Sequence, residues 1–160
     1  MKNTKFLVLF FLITLAIRLD AAEGRVIPLD MYLIIDASSA LEGPKADTVA
    51  WINEQVVDRL LMEGDRVTIW AAGDSARIIF SDTISNTSSK EEIKDRIQAM
   101  ELGMGSPDFS GALREAVSRA SQTPQSRLSY TMLITASAEG LEPTLTGSAQ
   151  GLLRWFRSER

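Results

Sequence analysis

Four short apolar runs, rich in β-branched and aromatic residues and bounded by turn-forming residues, divide the chain. They are residues 31–35 (MYLII), 66–72 (RVTIWAA), 76–81 (ARIIFS) and 128–135 (LSYTMLIT). Because these runs are apolar throughout, without alternation of apolar and polar residues, they predict strands that are buried on both faces. The turn signal Gly73-Asp74 lies between the second and third runs and predicts that these two strands form a hairpin.

Segments with helical periodicity separate the apolar runs. In residues 45–62 the apolar side chains recur at spacings of three and four, which predicts a helix that ends at Gly64. Ser88 or Ser89 is suited to cap a second helix, and Asp108 is suited to cap a third. The helices after the first are predicted over residues 89–102, 109–121 and 146–157.

The order of these elements predicts an α/β fold with a mainly parallel sheet, helices on both faces and an antiparallel edge hairpin. In such sheets the loops that follow the carboxyl ends of the parallel strands form the ligand crevice. The loops after Ile35 and Thr135 and the helix start at Asp108 are therefore the places to look for a functional site.

The first 22 residues have the order of a secretory signal peptide. Lys2 and Lys5 precede an apolar run over residues 6–17, and two alanines close the segment. A helix needs about 20 apolar residues to span a bilayer, so this run is too short. We expect residues 1–22 to be removed on export, which leaves residues 23–160 as one domain in the periplasm or outside the cell. An uncleaved membrane anchor is the alternative.

The composition excludes several kinds of chemistry. The chain contains no cysteine and no histidine, which rules out disulfides, thiol nucleophiles, zinc fingers and histidine-based triads. Its net charge of −4 makes nucleic acids and anionic membranes poor partners. The sequence also contains no P-loop, dinucleotide fingerprint or nucleophile elbow. Export without cysteine suits a protein of the bacterial envelope.

Four segments occur in an order that resembles one known family. They are LIIDASSA, GDRVTIWAAGDSARIIFSD, GSPDFSGALREAV and YTMLITASAEG. From about residue 30 to residue 157 the chain resembles a von Willebrand factor type A domain. The resemblance implies a Rossmann-like α/β fold and a divalent-ion adhesion site, in which the bound ion takes an acidic residue of the partner.

The residues of that ion site are only partly present. Asp36 and Ser38 match the first two positions of the family's Asp-x-Ser-x-Ser motif, whereas the other three ligand positions fall on Ala40, Pro107 and Ala136. Magnesium requires nearly octahedral coordination by oxygen. The loss of three ligand oxygens predicts that no metal cofactor is required, and that Asp36 and Ser38 bond loop backbone amides instead.

We therefore expect a non-catalytic module that binds an unidentified protein partner. Its contacts are expected at the loop residues Asp36, Ser38, Pro107, Asp108, Ala136 and Glu139. One alternative is a metal-dependent adhesion module, with Mg²⁺ or Mn²⁺ at the remnant positions Asp36 and Ser38 and a second carboxylate from Asp108 or Glu139. Another is a hydrolase that pairs Asp36 with one of those two acids.

The resemblance also implies further strands and a closing helix after the fourth strand, whereas the given sequence ends at residue 160. Three readings stay open: a truncated gene product, an edge completed by a strand of a partner, and a compact shortened variant of the domain. The strand that ends at Thr135 would then be an open edge. Unpaired amides on an apolar edge favour pairing with a partner strand or dimerisation.

Overall fold

The computed structural model describes residues 25–136, and the structural statements below refer to this part of the chain. The strands of this part are β1 (Leu29–Asp36), β2 (Arg66–Ala72), β3 (Ala76–Thr83) and β4 (Leu128–Ile134). Its α-helices are α1 (Lys45–Trp51), α2 (Thr87–Gln98) and α3 (Phe109–Ala120). The predicted signal segment, Glu139 and the predicted helix over residues 146–157 lie outside the described residues.

The sheet confirms the predicted α/β class. Its strand order is β3-β2-β1-β4, and β1 runs parallel to both of its neighbours. β2 and β3 form the predicted antiparallel hairpin. Within residues 25–136, β4 pairs only with β1 and β3 only with β2, so each is an edge of the described sheet.

Both faces of the central strand are covered. All eight residues of β1 are buried. On one face Leu33 packs in a cluster with residues of α1 and α2, and on the other face Ile34 packs with Trp70 and with Phe109 of α3. A parallel strand covered on both faces gains burial from every side chain, which explains the absence of alternation in its sequence.

The first helix differs from the prediction. Its α-helical part ends at Trp51 and continues as a π-helical segment, Ile52–Asp58, whereas the periodicity predicted a helix to residue 62. A π-helix is defined by hydrogen bonds between residues five apart. The same spacing occurs just after the segment, where the N–H of Leu61 donates to the carbonyl of Val56 at 3.0 Å, and both residues are buried. Gly64 does not end the helix but lies in the turn before β2, with φ of 90°.

The second helix begins and ends earlier than predicted. Its cap is Asn86, whose side chain accepts a hydrogen bond from the N–H of Ser89 at 3.1 Å, and neither Ser88 nor Ser89 is the cap. The helix ends at Gln98 instead of residue 102. The chain after it is drawn toward the end of β1, because the N–H of Gly103 donates to the carbonyl of Ala37 at 2.6 Å.

A charged cluster lies at the amino-terminal edge of the sheet, and the sequence analysis missed it. Asp30, only 2% exposed, accepts hydrogen bonds from Arg66 Nε at 2.8 Å, Arg127 Nε at 2.5 Å and Thr123 Oγ1 at 3.0 Å. Burial opposes ionisation of this carboxyl, but the three donors outweigh burial and hold the pKa of Asp30 below its ordinary value. An available signal was the acid near the start of β1 facing an arginine at the start of β2.

A second buried acid joins the same edge to the chain that precedes β1. Asp65 is fully buried and accepts hydrogen bonds from Arg25 Nη1 at 2.9 Å and from the N–H groups of Leu29 and Met62, both at 2.8 Å. Arg127 contacts this region through the carbonyl of Leu29 at 3.0 Å. Ion pairs between arginines and these two buried acids therefore hold the amino-terminal edge of the sheet together.

No helix within residues 25–136 combines the length and the apolar character that a membrane span requires.

Candidate functional site

The loops after β1, β2 and β4 and the start of α3 lie at the carboxyl-terminal edge of the sheet, where α/β folds place their ligands. We call the surface formed by residues 36–41, 73–75, 101–108 and 135–136 the loop face. It contains every described residue that the sequence analysis proposed for partner binding.

Asp36 ties the end of β1 to the end of β4. Its side chain is completely buried. Oδ1 accepts a hydrogen bond from the N–H of Ser38 at 2.9 Å, and Oδ2 accepts from Thr135 Oγ1 at 2.9 Å and from the N–H of Ala136 at 3.3 Å. Both carboxylate oxygens are thus occupied by protein donors, which confirms the expectation that Asp36 bonds loop amides.

Ser38 behaves differently from its expected role. The residue is 2% exposed, and its Oγ is buried without a hydrogen-bond partner in the described structure. The prediction that this side chain bonds a loop amide is therefore wrong. The backbone of Ser38 is used instead: its N–H donates to Asp36 Oδ1 at 2.9 Å, and its carbonyl accepts from the N–H of Leu41 at 3.1 Å.

The residues present do not fit the ion that the fold family implies. Of the five ligand positions, Ala40, Pro107 and Ala136 carry no side-chain oxygen, and the Asp36 carboxylate already accepts three hydrogen bonds. The Ser38 hydroxyl and the remaining acceptor site of Asp36 are far from the octahedral oxygen set of magnesium. Within residues 25–136 no group of three or more acidic side chains is placed to hold a metal ion.

Asp108 is the N-cap of α3, as predicted. Its Oδ1 accepts a hydrogen bond from the N–H of Gly111 at 3.0 Å, and its Oδ2 accepts from the N–H of Ala76 at 3.4 Å. Its own N–H donates to the carbonyl of Gly73 at 2.8 Å. Asp108 therefore fixes the start of α3 to the β2–β3 turn, and its carboxylate shares no partner with that of Asp36.

Asp74 fixes the loop that precedes α3, a role that was not predicted from the sequence. The N–H of Gly105 donates to Asp74 Oδ1 at 2.8 Å. A Cβ atom at Gly105 would lie 2.5 Å from that oxygen, and one at Gly103 would lie 3.1 Å from it. A side chain at position 105 would therefore displace the Asp74 carboxylate, whereas one at position 103 would shift it by only a few tenths of an ångström. The spacing Gly-Met-Gly was the available signal.

The substitution Gly105→Ala is expected to lower the free energy of unfolding by about 1 kcal/mol, because the new methyl group displaces the Asp74 carboxylate and breaks its exposed hydrogen bond to the N–H of residue 105. Thermal or urea unfolding of the full chain measures this change. Gly43→Ala is the matched control, since a Cβ there meets nothing within 4 Å; its effect should stay within about 0.5 kcal/mol. Equal effects of the two substitutions would contradict the steric argument.

Comparisons with known proteins agree with this fold. A family model described as the von Willebrand factor type A domain matches residues 30–144. A solved von Willebrand factor type A structure from Catenulispora acidiphila is 15% identical, with a TM-score of 0.54, and the match covers 74% of this chain and 30% of that one. For proximal thread matrix protein 1 from the mussel byssus the identity is 17%, the TM-score 0.55 and the coverage 68% and 31%.

A third match is the structure of three N-terminal domains of the type V pili tip protein Mfa5 from Porphyromonas gingivalis. It has 16% identity and a TM-score of 0.50, and the match covers 67% of this chain and 19% of that one. At these identities the likeness shows the fold alone, and the chain spans less than a third of the length of each of the three solved chains. A search of curated proteins found no match.

Proposed function

Because the chain belongs to the von Willebrand factor type A family, whose domains are protein–protein interaction and adhesion modules, we propose that it is a non-catalytic module that binds a protein partner without a metal ion. The proposed contact surface is the loop face. The residues proposed to form or support it are Asp36, Ser38, Pro107, Asp108, Ala136 and Glu139. Strand pairing or dimerisation at the edge of β4 is a further proposed mode of association.

The three missing ligand oxygens, at Ala40, Pro107 and Ala136, carry the proposal of metal independence. The hydrogen bonds of Asp36 add to it, because a metal that coordinated both oxygens of this carboxylate would compete with the bonds from Ser38, Thr135 and Ala136. The N–H of Ser38 lies in a buried place, and the loss of its acceptor costs about 1–3 kcal/mol. An ion with so few ligands of its own at this site does not offset that cost.

The same burial supports a non-catalytic role. A carboxylate pair that hydrolyses a substrate must reach the reacting atoms, with its two carboxyl groups about 5–10 Å apart across a cleft. Asp36 is completely buried, and the carboxylate of Asp108 accepts a hydrogen bond from the N–H of Gly111 as the N-cap of α3. The chain also has no histidine or cysteine that could serve as base or nucleophile. We further propose export through residues 1–22 to the periplasm or the cell exterior.

One observation favours the metal-dependent alternative: the buried Ser38 hydroxyl has no partner in the described residues. If no ion binds there, Ser38→Ala removes a buried unsatisfied hydroxyl and should stabilise the full chain by about 1 kcal/mol in chelator. Millimolar Mg²⁺ or Mn²⁺ should leave the thermal midpoint of the wild-type protein unchanged. Ser39→Ala, at an exposed neighbour, is the control and should be neutral. A rise of the wild-type midpoint with metal, abolished by Ser38→Ala, would support the alternative.

Partner binding itself is tested by capture from an envelope-protein extract on the immobilised full chain, in chelator. Ser106→Arg places a bulky charge on the exposed loop face, and Ser126→Arg places the same charge on an exposed position at the opposite edge. We expect retained protein to be lost with Ser106→Arg and kept with Ser126→Arg. Capture that requires added metal, or that is insensitive to Ser106→Arg, would contradict the proposed function.

A further inference from the structure

A methionine projects from the middle of the loop face. Met104 is 90% exposed, whereas the other large apolar side chains on the described surface, apart from Val26, are between 42% and 48% exposed. Single exposed apolar residues are common and carry no meaning by themselves. The surroundings of Met104 make it different, since its backbone is held on both sides.

The two neighbours of Met104 are each anchored to another loop. The N–H of Gly103 donates to the carbonyl of Ala37 at 2.6 Å, and the N–H of Gly105 donates to Asp74 Oδ1 at 2.8 Å. The backbone of Met104 is therefore held in place while its side chain reaches into solvent. A preformed anchor of this kind lowers the entropy lost on binding, and the flexible thioether adapts to apolar partners of varied shape.

Three of the four carboxylates around this anchor lack cationic partners within the described residues. Asp36, Asp74 and Asp108 accept hydrogen bonds from uncharged N–H and O–H groups, and no ion pair in the described residues involves any of them. Uncharged donors stabilise a carboxylate without cancelling its charge. The fourth, Glu101, is 84% exposed, and its Oε2 lies 3.7 Å from Nη1 of Arg77.

The two edges of the sheet therefore differ in charge. At the amino-terminal edge Asp30 and Asp65 are paired with arginines, so the negative charge there is compensated. At the loop face only Glu101 has an ion pair within the described residues, with Arg77, whereas Asp36, Asp74 and Asp108 have none; the excess negative charge gives this surface a negative potential that steers cationic groups toward it.

We propose that the loop face binds a basic and apolar segment of the partner protein, with Met104 packing against its apolar side chains and the exposed carboxylates of Asp74 and Glu101 facing its lysines or arginines. This inference rests on the proposed function and specifies the partner's chemistry. It reverses the charge preference of a metal-containing adhesion site, because without a bound cation the surface attracts positive groups in place of acidic ones.

The test uses two fluorescent peptides with the same leucine pattern, LKKLLKLLKKLLKL and LEELLELLEELLEL, titrated into the full chain in chelator. We expect the lysine peptide to bind, to weaken as salt is raised, and to perturb the Met104 methyl signal in spectra of methyl-labelled protein. The glutamate peptide should not bind. Equal binding of both peptides, or metal-dependent binding of the glutamate peptide, would overturn the inference.

Matched variants locate the contact. Met104→Ser should weaken binding of the lysine peptide at least tenfold without changing the thermal midpoint, because the side chain is exposed. Val26→Ser is the control. It removes a similarly exposed apolar side chain, 93% exposed, at the amino-terminal edge of the sheet, and it should not change the binding of the lysine peptide. Glu101→Lys should weaken binding through charge alone. A change of less than twofold with Met104→Ser would overturn the inference.

The failure of this inference is distinguishable from failure of the proposed function. If Ser106→Arg abolishes chelator-resistant capture while Met104→Ser and Glu101→Lys leave it intact, the module binds its partner at the loop face by other contacts, and the inference is wrong. If Ser106→Arg also leaves capture intact, the proposed function fails and the inference fails with it.

Discussion

Replacing Ala40, Pro107 and Ala136 together by serine, threonine and aspartate is expected to give the protein a magnesium-dependent stability, which we do not expect of the wild-type chain. The three substitutions restore oxygen ligands at the positions where the resemblance implies them, next to the Asp36 carboxylate. None of the three residues is fully buried, so the larger side chains can be accommodated. Without metal the variant should be less stable than the wild type, because Asp36 and the new aspartate repel each other.

The size of the effect follows from linkage. A ligand present at about 100 times its dissociation constant adds roughly 2.7 kcal/mol to the free energy of unfolding. For a chain of this length that corresponds to a rise of about 5–10 °C in the thermal midpoint. Melting the full-length variant in chelator and then in 10 mM Mg²⁺, roughly 100 times an assumed dissociation constant of about 0.1 mM, measures it directly.

Two control proteins show whether the metal effect comes from the restored site. Adding Asp36→Asn to the triple variant should abolish the metal effect, because the first carboxylate ligand is lost. The wild-type protein should show no shift. A cooperative melt of the triple variant that is indifferent to magnesium would show that the missing oxygens do not explain the metal independence proposed for the wild type.

Removing the Asp30 carboxylate is expected to cost about 3 kcal/mol of stability, because Asp30→Ala leaves Arg127 charged and largely buried without its partner. Arg127 is 17% exposed, whereas Arg66 is 49% exposed and regains much of its hydration. Urea unfolding of the full chain measures the loss. Asp58→Ala is the control, since its ion pair with Lys94 is more exposed and should be worth at most about 1 kcal/mol. Similar losses in both variants would contradict a special role for the buried cluster.

The same carboxyl makes stability depend on pH in the acid range. The pKa of Asp30 is lower in the folded protein than in the unfolded chain, so the unfolded state binds a proton first as the pH falls. The stabilising contribution is therefore complete above the unfolded pKa near 4 and is lost as the pH falls through the folded pKa. Asp30→Asn should lose stability less steeply than the wild type below about pH 4. Identical acid slopes would contradict this assignment.

The site was predictable in part. Asp108 as the cap of α3 followed from residue type and position, because an N-cap is a local interaction within three residues. The role of Asp74 was not predictable in the same way. Its partner Gly105 is 31 residues away, and only the approach of two loops in the folded chain joins them. The partner chemistry inferred for Met104 depends on that approach.

The sequence by itself determined the α/β class, the hairpin, the strand positions and the absence of three ligand oxygens, because burial pattern, turn chemistry and residue type are local properties. Only the tertiary structure decided that Asp36 bonds Thr135 and Ala136, which lie 99 and 100 residues away. It likewise decided that Asp30 meets Arg127, 97 residues away. These contacts depend on the register of β1 against β4, and a shift of one residue would send each side chain to the opposite face of the sheet.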